Sequence, residues 1–125
     1  MVRSAFFSLF VLIAGGANIA QAQTVRDVLG RWCTPDHART VNVLRERILI
    51  WRRSGGAASE VIGCQSSLRP APDGGLVYDG RCSFAEGPAN GSIRLRTGRG
   101  NRLSARVERE GHQLLDLQLV RCPGR

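Results

Sequence analysis

The chain has 125 residues, and its net charge of +8 comes from eighteen basic residues, all arginine, set against ten acids. That length gives room for one small domain with a modest core. It holds no repeat, linker or low-complexity block, and the excess of arginine over acid favours anionic partners. A genome rich in G and C explains arginine standing in for lysine, but not that excess.

The N-terminus has the three parts of a secretory leader. Arg3 is the positive region, Ala5 to Ala14 is the apolar core, and Ala20-Gln21-Ala22 fits the small-x-small cleavage pattern. The apolar run is too short to span a bilayer, so cleavage rather than anchoring is expected. The domain reading is therefore a leader over 1–22 and one β-domain over 23–125, with Gln23 as the new N-terminus and no membrane span after cleavage. Four cysteines follow, Cys33, Cys64, Cys82 and Cys122, none in a C-x-x-C pair. In an oxidising compartment they read as two disulfides.

A short helical turn comes first, with Thr24 and Asp27 placed as a capping box and Gly30 ending it. Strands are predicted over 31–34, 40–44, 47–53, 59–68, 76–84, 92–97, 102–109 and 113–121, separated by glycine-, proline- and asparagine-rich breaks. Val41, Leu44, Ile48 and Trp51 also fit a helical stripe. The strand formers Ile48-Leu49-Ile50-Trp51 favour two strands about Arg45-Glu46.

Register follows from which faces match. Opposing Leu103 with Leu119 also opposes Ala105 with Leu117 and Arg106 with Asp116, and a one-residue slip would mix the faces. Opposing Cys64 with Cys82 also opposes Ile62 with Phe84 and Leu68 with Tyr78. Neighbouring antiparallel strands lie close enough there for a disulfide. The pairing Cys64–Cys82 leaves Cys33–Cys122, which ties the first strand to the last. A meander of eight short strands with stapled ends is an up-and-down barrel. Leu115, Leu117 and Leu119 then point inward with Arg121. Trp32 points inward as well, so guanidinium and indole would stack at one barrel end.

Gly30-Arg31-Trp32 on the first strand, with Arg121 from the last, resembles the hallmark of the lipocalin-like (calycin) superfamily. Within it the chain looks most like small periplasmic inhibitors of secreted metalloproteases. The resemblance implies an all-β, eight-stranded antiparallel barrel and a non-enzymatic, inhibitor-like function on a partner protein. In that family an N-terminal arm enters the protease cleft. Here the corresponding arm is Gln23-Thr24-Val25. Only nine residues precede the tryptophan, and an N-terminal glutamine can cyclise, so this chain departs from the pattern there.

The remaining candidates are surfaces. Aligning Leu95 with Leu103 sets Arg96 against Arg102 and places Arg94 and Arg106 on the same face, with Arg99 at the tip. Only Arg106 has an evident acid, Asp116. Such a cluster suits forked binding of phosphate or carboxylate, as in lipopolysaccharide, although a solvated arginine surface is the plainer account. If Ile48 and Ile50 face the core, Leu49 and Trp51 face outward beside Arg52 and Arg53, an anchor-like contact site. The default is the opposite register, which buries them.

Nothing else stands out. His37 and His112 sit in predicted turns without further metal ligands. Glu108 and Glu110 read as a solvated edge balancing Arg106 and Arg109, not as a glycosidase pair. No triad is recognisable among the serines. No metal, cofactor or catalytic residue is expected. Few aromatics are free to stack on bases, which disfavours nucleic acid. A small-molecule carrier stays as an alternative, but so short a barrel should be filled by its own side chains.

Overall fold

The computed structural model describes residues 24–123. The expected leader and Gln23 lie outside them. One helical turn, α1 (Val25–Val28), precedes nine strands: β1 (Gly30–Cys33), β2 (Arg39–Leu44), β3 (Arg47–Ser54), β4 (Ala57–Cys64), β5 (Arg69–Pro70), β6 (Leu76–Phe84), β7 (Gly87–Thr97), β8 (Arg102–Arg109) and β9 (His112–Arg121). All pairings are antiparallel, and they run β1-β2-β3-β4-β6-β7-β8-β9 and back to β1. The result is a closed eight-stranded barrel, with β5 as a short addition on the edge of β6.

Inward positions are filled with aliphatic side chains. Val41, Val43, Ile48, Ile50, Ile93 and Val107 are fully buried. Tyr78 is buried beside them, and its hydroxyl donates to the Leu44 carbonyl at 2.6 Å. That bond satisfies a polar group that burial would otherwise penalise. Burial also pushes its phenol above the ordinary value.

The barrel is built from two four-stranded meanders, β1–β4 and β6–β9. Within the second, the longest ladder, β6–β7, pairs nine residues. Between the two meanders the seams are short. β4 meets β6 only at Gly63↔Ser83 and Cys64↔Cys82. β1 meets β9 only at Trp32↔Arg121 and Cys33↔Val120. Each seam carries one disulfide, Cys64–Cys82 and Cys33–Cys122. Covalent bonds thus lie where backbone pairing is weakest.

α1 closes one end. The Thr24 N–H donates to the Asp27 carboxylate at 3.4 Å, and Val28 is fully buried against the core. The Trp32 indole N–H donates to the Val28 carbonyl at 2.9 Å, fixing the turn over the barrel.

Residues 40–53 form two strands about Arg45-Glu46, as expected. Several other expectations need correcting. The predicted strand 59–68 ends at Cys64, and Pro70, read as a break, sits in β5, at an edge where its missing N–H costs nothing. β7 begins at Gly87, so the segment Gly87–Gly91 is strand and the turn is Ala85-Glu86. Gly91 belongs there because a Cβ would lie 2.8 Å from both the Glu108 carbonyl and the Phe84 ring. Glu108 and Glu110 do not share a strand face: Glu110 lies in the turn after β8.

Candidate functional site

The arginine cluster on β7 and β8 is not arranged as expected. Arg94 opposes Arg106, and Arg96 opposes Ser104, not Arg102. Arg102 is instead level with Val120 of β9, and Arg99 lies in the exposed loop after β7. The ladder is offset by two residues from the predicted one. Gly98 accepts no slip, because its N–H donates to the Arg102 carbonyl at 2.9 Å.

Three of the five are also compensated, while Arg99 and Arg102 make no ion pair among the described residues. The 71–75 loop brings Asp73 to Arg96 at 2.6 Å and to Arg94 at 3.7 Å, while Arg106 reaches Asp116 at 3.8 Å. The Gly75 N–H, followed by Arg96 and Arg94, holds the Asp73 carboxyl below its usual range against some desolvation. The row reads acid, arginine, arginine, acid around a shallow hollow of about 190 Å³. Like charges at Arg94 and Arg106 are each backed by a carboxylate, so the face is much less anion-seeking than its arginine count suggests.

The other meander carries unpaired arginine too, and there it stands beside apolar side chains. Ile48 and Ile50 are buried, so Leu49 and Trp51 point outward and are half-buried there, against the default register. The ladders set rows across the outer face: Arg31, Asn42, Leu49 and Gly63 in one, Thr40, Trp51 and Glu60 in the next. Arg47 pairs with Leu44 at one margin and Arg53 with Ala58 at the other. Leu44 is 39% exposed, one of two large apolar side chains left so open among the described residues.

The resulting patch has Leu49 and Trp51 at its centre, Leu44 with Arg47 at one margin, and Arg31 and Arg53 at the others. None of these three arginines makes an ion pair among the described residues. Glu60 is the acid on this face. Gly63 keeps the centre low, since a Cβ there would come 3.3 Å from Leu49. Beside it an open groove of about 440 Å³ runs over the β4–β6 seam, with Leu49, Glu60, Arg81 and Pro88 among its walls. A bulge that inserts Val61 between the Ile50 and Trp51 pairs re-aims the strand at this point. Sequence reasoning singled out Leu49 and Trp51 but missed Leu44, Arg31 and Arg47. Alternation from a buried Ile48 and Ile50 would have found Arg47, the two-residue turn at Arg45-Glu46 would have added Leu44, and the inward Trp32 would have added Arg31.

The barrel end away from α1 carries a hollow. Arg39 and Arg52 oppose each other there, beside Ile62, Phe84 and Leu115 in a hollow of about 250 Å³. The Arg39 Nε is buried without a hydrogen-bond partner. Asp36 is near, and Arg39 is the last of the influences that lower its carboxyl. The stronger ones are the Ala38 N–H at 3.0 Å and the Thr34 hydroxyl at 2.7 Å.

Other predicted positions have structural roles. At the α1 end, the Arg121 guanidinium sits 4.0 Å from the Trp32 ring centre. Thr24 and Val25 are not a free arm: they form the cap and first residue of α1, and Val25 packs against the core. His37 and His112 lie apart, at the 34–38 turn and the start of β9, and no cluster of metal-ligating side chains occurs among the described residues. No helix among them is long and apolar enough to cross a membrane.

Set against models of known protein families, curated proteins and solved structures, the chain matches none.

Proposed function

We propose that this chain is an exported, non-enzymatic binding protein of lipocalin-like build that acts on a partner protein, docking the outer face of β1–β4 on an acidic surface. The single observation that carries the reading is the patch itself. A half-buried tryptophan and leucine stand among unpaired arginines, and tryptophan and arginine are the residue types that dominate interface energetics. The leader-like N-terminus supports export, and two disulfides are compatible with an oxidising compartment. The filled interior favours an outer surface over a carrier's cavity as the working part. An inhibitor-like action then belongs to this face, since α1 holds Thr24 and Val25 against the barrel.

Polyanion binding through β7 and β8 is the weaker reading because Asp73 and Asp116 already occupy that face. Site-specific photo-crosslinking separates the two. A photoreactive side chain at position 51 should trap a discrete protein in cells that export the chain, and one at position 118, on the other meander, should not. Equal labelling from both positions, or none from 51, would rule the proposal out.

A further inference from the structure

We infer that the free edge of β4 takes up an extended segment of the partner as an added strand, one with an apolar side chain and a carboxylate two positions apart. This rests on the reading of the chain as a partner-binding protein and specifies what the partner offers.

The β4–β6 seam stops at Gly63. From Ala57 to Ile62, β4 pairs with β3 on one side and with no other strand among the described residues. No backbone hydrogen bond outside that ladder reaches these residues. Continuing the seam's register would set Glu60 against Glu86, and opposed like charges disfavour pairing. The β6–β7 turn at Ala85-Glu86 then carries β6 away. Residues 52–60 are exposed throughout, and β3 stays paired with β2 as far as Arg52, so the open edge of the sheet here is that of β4.

An unpaired edge is a template for another strand, and native chains usually blunt it. Here Ala57, Ala58 and Ser59 leave it unobstructed. The two faces of the gap are also furnished. Outside lies the groove with Leu49, Glu60 and Arg81. Inside lies the barrel mouth, with Ile62, Phe84 and Leu115 beside Arg39 and Arg52. A strand sends alternate side chains to opposite faces, so an added strand would reach both. Its inward positions first meet the apolar wall and then, two residues along, the opposed guanidiniums. Arg39 and Arg52 make no ion pair among the described residues, and the unpartnered Nε of Arg39 calls for an acceptor.

A second copy of this chain fits badly, because its β4 edge would turn Ser59 and Ile62 inward and offer no carboxylate to Arg39 and Arg52. The occupant is therefore an acidic and apolar segment of another protein.

The test uses the full disulfide-bonded chain with isotopic labelling. The probe is a capped heptapeptide of threonines carrying one leucine and one glutamate two positions apart. It should shift and protect the amides of 57–62. A peptide of the same composition with leucine and glutamate adjacent should bind at least about tenfold more weakly, a difference of 1.4 kcal/mol. Methylation of alternate backbone nitrogens in the probe should abolish binding. Arg52→Gln, at an exposed position, should weaken the leucine–glutamate probe and leave its glutamine counterpart unchanged. Undisturbed amides at 57–62 at millimolar probe, or equal binding of the adjacent-residue and methylated peptides, would overturn the inference. In that case a position-51 cross-link would still uphold the broader reading. Edge binding without the cross-link would instead sink the proposed face.

Discussion

Arg121 binds the barrel's first turn as well as its first strand. Its guanidinium stacks on Trp32 at 4.0 Å, while Nη1 donates to the Leu29 carbonyl at 2.8 Å and Nη2 to the Asp27 carbonyl at 3.1 Å. The last strand thereby holds α1 over the barrel end. Gly30 makes room for this contact: its φ is 117°, and a Cβ would lie 2.8 Å from Nη1. The motif of glycine, tryptophan and distant arginine is thus one packing unit.

Removing the guanidinium should release α1. Arg121→Ala is expected to cost about 1–2 kcal/mol, from one cation–π contact and two charge-assisted hydrogen bonds. Arg121→Lys should recover little, because an ammonium cannot stack and fork at once. Gly30→Ala should destabilise to a similar degree through backbone strain. Urea unfolding measures all three, and amide exchange at Val28 and Leu29 should rise in each.

The two disulfides should differ in weight. In the chain-entropy model, Cys33–Cys122, with its separation of 89 residues, is worth about 4.5 kcal/mol, and Cys64–Cys82, with 18, about 3 kcal/mol. Paired alanine substitutions at 33 and 122 should therefore lower the urea midpoint more than those at 64 and 82. Full reduction should open both seams, and exchange should accelerate first at β1, β9 and the Cys64 end of β4 while the β6–β7 ladder stays protected. Uniform acceleration would contradict the two-meander account.

Much of the barrel was legible because a one-residue slip changes which face is buried. That criterion found the β8–β9 register, the opposition of Cys64 to Cys82 and the inward Trp32. It could not find the β7–β8 register, because a slip of two keeps Ile93, Leu95, Leu103 and Ala105 facing inward. There the turn decides, with Gly100 and Asn101 both in left-handed conformations, φ 59° and 60°. The Gly87–Gly91 segment looked like a turn by composition, although its glycine serves close packing. Asp73 was invisible as a partner for Arg96 because a loop carries it over from 23 residues away. At β3, alternation allowed either face to be buried, and the neighbouring strands settled the choice.

Acid should weaken the fold. Asp36 and Asp73 both have lowered folded-state carboxyl values, Asp36 chiefly through the Ala38 N–H and Asp73 chiefly through the Gly75 N–H. Their contributions are present above the ordinary aspartate value, about 3.9, and are lost as pH falls through the folded-state values. Asp36→Asn with Asp73→Asn should flatten the acid limb of the stability curve. Unfolding midpoints between pH 2 and pH 6 provide the comparison.

Alkali should do so by a different group. The buried Tyr78 phenol is raised in the folded state, so stability should fall once pH passes the unfolded tyrosine value of about 10. Tyr78→Phe should remove that fall. It should also cost about 1 kcal/mol at neutral pH, since the Leu44 carbonyl loses its donor.

Charge reversal on the two meanders tests the functional account most directly. The affinity of the partner trapped from position 51 should be measured for Arg47→Glu with Arg53→Glu, and separately for Arg94→Glu with Arg106→Glu. The account predicts a loss of about a hundredfold or more for the first pair, equivalent to about 2.8 kcal/mol, and a change within about threefold for the second. If the second pair abolished binding and the first left it intact, the docking face would lie on β7 and β8, and the claim made for β1–β4 would be wrong.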